Sequence, residues 1–292
     1  PVITGTTSEL VYNTASINDV TPGFYYLSTA TGPWHPLGGA APSWEITGNA
    51  NIVDGTNFLG TTNGVDVAFR RNNAAAGKLG ATNTSFGVGA LTNGAATNST
   101  AIGNNALSAS TGYDNTALGF QAMDANVGGF ENTAFGKDAL GGQISGAANT
   151  AVGHSALLNS NGTNNVTAFG FQAGSSNVAS NATLLGFQAG TNNSGDRFIA
   201  VGFQAGSNNA AGDNIAIGTN TMSGLSSGAS GRNVAIGSRA LNAATGATVS
   251  QNVAIGYQAG LSIQSINNVA IGNEALLQSS GENNTAVGAN AM

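Results

Sequence analysis

A short apolar phrase recurs along most of the chain and sets its hydrophobic pattern. In its clearest form, NVAIGYQAG from Asn252 to Gly260, three apolar residues precede a glycine, and two variable residues separate that glycine from an alanine. A period this short predicts one rung of a β-solenoid, because helical repeat units need roughly twice the length. Thirteen copies occur at intervals of 16 to 19 residues, and their glycines are Gly87, Gly103, Gly119, Gly136, Gly153, Gly170, Gly186, Gly202, Gly218, Gly237, Gly256, Gly272 and Gly288.

Alternation within each phrase predicts a strand that is apolar on both faces. Val253 and Ile255 share one face, while Ala254 and Gly256 share the other. Such a strand must be covered on both sides, and the core of a single-chain roll covers only one of them. Alternation alone assigns no direction to either face. It does predict that the outward face needs a partner, for which further copies of the same chain are the expected choice.

We therefore expect an all-β fold, a parallel β-roll or solenoid with rungs of about sixteen residues. No proline occurs in the array, as internal strands require. An asparagine often stands four residues before the motif glycine, where it favours left-handed turns and, stacked rung on rung, predicts an amide ladder. These asparagines are Asn115, Asn132, Asn149, Asn214, Asn233, Asn252, Asn268 and Asn284.

Composition divides the chain into three regions, residues 1–43, 44–81 and 82–292. All five prolines lie within the first 42 residues, and region 1–43 predicts a small β-rich domain with strands at Glu9–Tyr12 and Phe24–Leu27. Region 44–81 predicts a connector whose short strands, Asn57–Gly60 and Val65–Phe69, flank a TTNG turn. Region 82–292 is the repeat array.

Aromatic residues in the first region form one candidate contact patch. It comprises Tyr25, Tyr26, Trp34 and His35. The competing interpretation is that these side chains bury a small cap or pack on a neighbouring chain. In the connector, Arg70, Arg71 and Lys78 form a positive cluster that we interpret as a solvated turn rather than an anion site.

Charge and composition exclude several classes of function. Only 7% of the residues are charged and the pI is about 4.6, so no basic stripe is present to bind nucleic acid. The chain has no cysteine and no uninterrupted apolar run long enough to span a bilayer. Because it opens at Pro1 and stops directly after a repeat phrase, we expect a processed or partial product.

Catalytic and metal-binding chemistry is not expected. His35 and His154 lie in unlike contexts, and His154 occupies a variable position after Gly153. GGFENTAFGKD lacks the spacing of a phosphate-binding loop, and the acidic residues are scattered over different rungs. We predict no enzyme activity, no cofactor and no metal site.

One variant of the phrase, GFQA or GYQA, places an aromatic residue directly after the glycine. These residues are predicted to align in an exposed contact column, although packing in grooves between chains is the alternative. They are Phe120, Phe171, Phe187, Phe203 and Tyr257.

The array resembles the head domains of trimeric autotransporter adhesins, which are built on an NSVAIG-like repeat. NVAIG at Asn233, Asn252 and Asn268 carries the likeness, which covers about 210 residues. The amino-terminal run LVYNTASINDVTPGFYYLS is similar to repeat-bearing surface proteins of Bacteroidetes-type bacteria. The resemblance implies a left-handed parallel β-roll, a homotrimer, and an extracellular or cell-surface location. Rungs of up to nineteen residues, and the lack of a heptad stalk or membrane anchor, depart from the family's pattern.

Two functions follow as hypotheses. The first is a structural and adhesive extracellular fibre that contacts an unidentified surface ligand. The alternative is a phage or phage-like receptor-binding rod, or the subunit of a self-assembling surface filament. Ice binding would require a regular threonine ladder, and Thr116, Thr133 and Thr150 give way to Ile215 and Val234 further along. A β-helix hydrolase would require a cluster of carboxylates, which the sequence lacks.

Overall fold

The repeats stack because each apolar phrase forms one short strand that pairs with the strands before and after it. The computed structural model describes residues 10–13, 23–27, 34–36 and 60–292, with the exception of residues 94, 144, 226–230 and 243–248. Side chains are described from residue 60 onward. The chain divides into two units, Pro1–Gly60 and Thr61–Met292.

The first unit contains a three-stranded antiparallel sheet in the order β1, β2, β3. Its strands are β1 (Leu10–Asn13), β2 (Gly23–Leu27) and β3 (Trp34–Pro36). Strands β1 and β2 lie where the sequence predicts them, within one residue at each end, whereas β3 was not predicted. Tyr26 pairs with His35 across β2 and β3, so two residues of the proposed aromatic patch are neighbours in register.

An antiparallel hairpin opens the second unit. It consists of β4 (Val67–Arg71) and β5 (Ala74–Leu79). The turn between them is Asn72–Asn73, where both residues have positive φ, as a two-residue hairpin turn requires. The predicted strand Val65–Phe69 overlaps β4. The other predicted strand, Asn57–Gly60, lies almost entirely outside the described residues, and so does the predicted pairing across the TTNG turn. Because β5 pairs with the first strand of the array, the second unit begins within the predicted connector.

The repeat strands form a parallel ladder in which equivalent residues face each other. The sheet has 15 strands, and the solenoid makes about 12 turns. The strands of the sheet after the hairpin are β6 (Thr84–Phe86), β7 (Thr100–Ile102), β8 (Thr116–Leu118), β9 (Thr133–Phe135), β10 (Thr150–Val152), β11 (Thr167–Phe169), β12 (Thr183–Leu185), β13 (Ile199–Val201), β14 (Ile215–Ile217), β15 (Val234–Ile236), β16 (Val253–Ile255), β18 (Val269–Ile271) and β20 (Thr285–Val287).

A smaller parallel pair, β17 (Ser262–Ile263) and β19 (Gln278–Ser279), lies between these strands in the chain. The predicted all-β parallel solenoid with rungs of about sixteen residues is confirmed.

The small residues of the repeat strands face inward. The middle residue of every strand from β6 to β20 in the main sheet is buried, as Ala235 and Ala254 illustrate, while the third residue is exposed or half-buried. The roll therefore has a thin, alanine-rich core, which is filled out by Leu107, Met123, Leu140, Leu157, Met222 and Leu241. The bulky residues of the phrase point away from this core.

The motif glycine is fixed by both conformation and close approach. Its φ lies between +126° and +144° in all thirteen copies, a region that other residues rarely adopt. A Cβ on Gly103 would lie 2.2 Å from the carbonyl oxygen of Gly119 in the next rung. Each rung thus rests its backbone directly on the next at this point.

The predicted amide ladder is present inside the roll. The Oδ1 of Asn132 accepts hydrogen bonds from the backbone N and the Nδ2 of Asn149, both at 3.0 Å. The same pattern runs through Asn214, Asn233, Asn252, Asn268 and Asn284. The left-handed turn, however, belongs to the preceding residue, such as Asp114 or Asn267, and not to the ladder asparagine.

In the middle rungs the ladder moves to another column. Val166, Ala182 and Phe198 replace the motif asparagine there, and all three are buried. A second series, Asn177, Asn193 and Asn209, is linked side chain to side chain at 2.9 Å. It rejoins the first column where Asn214 Nδ2 donates to Asn209 Oδ1 at 3.3 Å.

Core volume is conserved from rung to rung although its source changes. Most rungs place a leucine or methionine four residues after the motif glycine, but others have a glycine there, including Gly190 and Gly206. In those rungs the space is taken by Leu184 and Phe198, whose side chains would lie 2.4 Å and 2.0 Å from an added Cβ. Close packing requires this exchange.

We predict that Gly202→Ala destabilises the fold. The new Cβ would lie 2.6 Å from the Gly218 carbonyl oxygen at a φ of +134°, so the free energy of unfolding should fall by about 2 to 4 kcal/mol. Gly128→Ala is the control, since a Cβ there meets nothing within 4 Å. Chemical denaturation followed by circular dichroism, at one protein concentration, measures both. Equal midpoints for the two variants would contradict the close-stacking account.

We also predict that the amide ladder stabilises the stack. Asn233→Ala would remove the Oδ1 that accepts from the Asn252 N–H and Nδ2, and the Nδ2 that donates to Asn214 Oδ1 and Val249 O. The buried Asn252 N–H would then have no acceptor, lowering the free energy of unfolding by about 2 to 4 kcal/mol. Asn104, exposed and without a side-chain hydrogen bond in the described structure, supplies the control Asn104→Ala. The same denaturation measurement applies. A loss no larger than that of the control would mean that the ladder contributes nothing to stability.

Candidate interaction surface

The outward face of the main sheet carries a continuous apolar stripe. We define the apolar stripe as the first and third residues of the three-residue repeat strands β6 to β16, β18 and β20. Its third-residue column is Phe86, Ile102, Leu118, Phe135, Val152, Phe169, Leu185, Val201, Ile217, Ile236, Ile255, Ile271 and Val287. Phe135 and Phe169 are the most exposed of the central members, at 52% and 54%.

The first-residue column changes character along the solenoid. From Thr84 to Thr183 seven successive strands begin with threonine, and from Ile199 to Val269 five begin with isoleucine or valine. The parallel register places each residue beside its equivalent in the next strand. The threonine ladder is thus regular over half of the array only, and it runs beside a bulky apolar column.

The stripe is uncharged and large for a surface exposed to water. With strands about 4.8 Å apart, thirteen rungs give a length of about 60 Å, and a width of about 10 Å gives an area of roughly 600 Å². Eight of the thirteen first residues are threonines, so the apolar part of this area is smaller and falls within the range of the largest apolar patches on typical monomers, which are often functional. The stripe is therefore a candidate interaction surface.

The aromatic residues after the motif glycine form a second column at the rim of the stripe. His154, Phe171, Phe187 and Phe203 stack face to face on successive rungs, with ring centroids 5.1 to 5.3 Å apart and planes within 9°. All four are exposed. This arrangement matches the predicted alignment of the three phenylalanines, and it adds His154, which the sequence treats as a tolerant exposed position.

The other two predicted members of the column are separate from the stack. Phe120 lies under Lys137, whose Nζ is 5.7 Å from the ring centroid, and Lys137 also pairs with Asp138. Tyr257 is separated from Phe203 by two rungs that carry Thr219 and Ser238 in the same column. An unpredicted ring pair, Tyr113 and Phe130, stacks at 5.0 Å in the variable half of the rung.

A glutamine ladder supports the aromatic stack. The Nε2 of Gln188 donates to Gln172 Oε1, and the Nε2 of Gln204 donates to Gln188 Oε1, both at 2.8 Å. These glutamines directly follow the stacked phenylalanines in the chain. The QA of the GFQA variant therefore has a structural role, which only the three-dimensional register reveals.

The charged side chains of the array pair locally. Arg197 binds Asp213 through two contacts, at 2.5 and 2.9 Å, and the guanidinium holds the pKa of Asp213 below its usual value. In the hairpin, Lys78 contacts Asp66 at 2.8 Å and lowers the pKa of that carboxyl in the same way. Burial raises the pKa of Asp124. Arg239 is exposed and has no carboxylate within ion-pair distance among the described residues.

No cluster of three or more histidine, cysteine, aspartate or glutamate side chains suited to a metal ion occurs among the described residues. Over the same part of the chain, no helix has the length and apolarity needed to cross a membrane. Comparison with protein-family models, with curated proteins and with solved structures finds no match to this chain.

Proposed function

We propose that the chain is a non-enzymatic structural and adhesive fibre protein whose copies associate side by side through the apolar stripe. The observation that carries the proposal is the orientation of the phrase. The inward residue is alanine on eleven of the thirteen rungs, with Ser85 and Leu184 on the other two, and a bulky apolar residue points outward on all thirteen. Water is an unfavourable environment for such a stripe, because burial of each large apolar side chain stabilises by roughly 1.5 to 3 kcal/mol.

A further copy of the same chain is the partner that fits best. Both columns of the stripe are uncharged from Thr84 to Val287, so an identical stripe meets no electrostatic repulsion. The stripe is also regular, since each strand is three residues long and in register with its neighbours. Identical rungs on identical chains share the same step, so the stripes match along their whole length.

Three copies are the number that the likeness to trimeric autotransporter adhesin heads favours. A threefold arrangement turns the three stripes toward a common axis, which buries all of them at once and leaves the variable, polar halves of the rungs outside. In this arrangement the protein forms a rigid rod at the cell surface or outside the cell. A phage-type receptor-binding rod would use the same association, and neighbouring virion genes would distinguish the two.

We predict that a charge in the stripe breaks the assembly. The intact chain should have a solution mass by light scattering of about three times 28.6 kDa, and Ile236→Glu should reduce it toward that of a single chain, because a buried unpaired carboxylate is strongly unfavourable. Val178→Glu is the control, since Val178 is 63% exposed but lies outside the stripe.

Two results would contradict the proposal. One is a single-chain mass for the unaltered protein, and the other is an unchanged mass for Ile236→Glu. Should Ile236→Glu fail to fold, Phe169→Glu repeats the test at a stripe residue that is 54% exposed in the isolated chain. Very large species would point to a filament.

A further inference from the structure

The aromatic column contains a slot between Phe203 and Tyr257. These residues and the two between them in the column, Thr219 and Ser238, lie on four consecutive rungs. Backbone hydrogen bonds link the rungs: Asn220 N donates to Phe203 O at 2.9 Å, Arg239 N to Thr219 O at 3.0 Å, and Gln258 N to Ser238 O at 2.9 Å. The slot therefore has an aromatic residue at each end and small hydroxyl residues along its floor.

Both ends of the slot are exposed aromatic residues, and Phe203 has a free ring face. Phe203 stacks on Phe187 through one face only, and the residue on its other side is the short Thr219. Tyr257 makes no ring stack in the described structure and is 47% exposed. Because the two residues are three rung steps apart, about 14 Å, the gap accepts a flat ring against the free face of Phe203.

Polar groups without partners lie along the slot and next to it. Among the described residues, neither the Thr219 nor the Ser238 hydroxyl makes a side-chain hydrogen bond. Arg239 is the exposed, unpaired cation noted above, and it directly follows Ser238 in the chain, so its long side chain begins one residue from the slot. It differs from Arg197, whose guanidinium is already occupied by Asp213.

We propose that this slot binds an acidic polysaccharide through its uronic acid rings. The C–H face of a pyranose is apolar and packs on an aromatic ring, which supplies contact area at little cost in conformational entropy. A guanidinium binds a carboxylate through two parallel hydrogen bonds. Hydroxyls of the sugar then meet the hydroxyls of Thr219 and Ser238, so each chemical feature of the ligand has a matching group in the slot.

Position on the rung favours this ligand over another copy of the chain. Residues 203, 219, 238 and 257 come after the motif glycine, where each rung bends away from the strand. The slot is therefore at the rim of the apolar stripe. A partner chain that extended over the rim would bury Arg239 unpaired, which is unfavourable, so the slot lies outside the proposed interface between copies.

The inference deepens the proposed adhesive role and depends on it for its biological meaning, although binding is measurable independently of assembly. The probe is tetragalacturonic acid, in which every ring carries a carboxylate, so that any register places one beside Arg239. Isothermal titration into the intact chain should give saturable binding. The fully methyl-esterified tetramer should bind about tenfold more weakly, because the charge-assisted hydrogen bonds are lost.

Substitutions locate the site. Phe203→Ala and Arg239→Gln should each weaken binding about tenfold, while Phe203→Tyr should retain it. Phe171→Ala is the matched control: it removes the same residue type from the same column, but both faces of Phe171 are covered by His154 and Phe187. Circular dichroism verifies that each variant is folded.

The proposal is overturned if the tetramer shows no saturable binding at millimolar concentration, or if Phe171→Ala weakens binding as much as Phe203→Ala. It is also overturned if the ester binds as tightly as the acid. Light scattering on the same samples distinguishes failure of the slot proposal from failure of the assembly proposal. A single-chain mass with intact sugar binding would contradict the fibre alone, and a trimer that does not bind the tetramer would contradict the slot alone.

Discussion

The close contact between successive motif glycines is the constraint on which the rest of the solenoid depends. At this point the backbone of one rung occupies the space that a Cβ of the previous rung would fill, as for Gly103 and Gly119. The contact fixes the step and the register together. Because of this register, each residue of a rung lies beside the equivalent residue of the next rung. This arrangement produces the alanine core, the asparagine and glutamine ladders, the phenylalanine stack and the apolar stripe.

This register explains why the fold has so little core and so much apolar surface. Inward positions are limited to alanine and one larger side chain per rung, since the two sides of a rung are close together. Bulk that does not fit inside is placed outside, where Ile217, Ile236 and Ile255 follow one another on adjacent strands. The proposed side-by-side association would supply the burial that the thin roll lacks, without any loss of rung-to-rung hydrogen bonding.

Much of the fold was predictable from periodicity, because the motif glycine and the apolar pair recur at nearly constant spacing. The direction of the two strand faces was not, since alternation separates Val253 and Ile255 from Ala254 without indicating which side is inward. Only the folded backbone shows that the alanine side of each strand faces the core. The sequence also did not reveal that Phe198 fills the core space next to Gly206. Most other rungs have a leucine or methionine at the position of Gly206, whereas Phe198 comes from a different point of the rung.

The candidate surface was predictable in part. The alignment of Phe171, Phe187 and Phe203 follows from equal spacing, whereas the inclusion of His154 depends on ring orientation, which the sequence does not carry. The β4–β5 hairpin was not predicted, because Asn72–Asn73 carries a weaker turn signal than an Asn-Gly pair, although both asparagines adopt positive φ in the structure. The slot beside Phe203 exists because the aromatic column has small residues, Thr219 and Ser238, in place of aromatic ones. This gap could be recognised only in the structure, where the rungs are stacked.

Hydroxyl-radical labelling of the native protein, read out residue by residue by mass spectrometry, tests the covered stripe most directly. In the isolated chain Phe135 and Phe169 are 52% and 54% exposed, more than Tyr113 at 45%, which lies outside the stripe. Each labelling rate is divided by the rate of the same residue in the denatured chain. If the stripe is covered, the normalised rates of both phenylalanines should be several-fold lower than that of Tyr113. Labelling of Phe135 and Phe169 as fast as Tyr113 would show that the stripe faces water and would contradict the account.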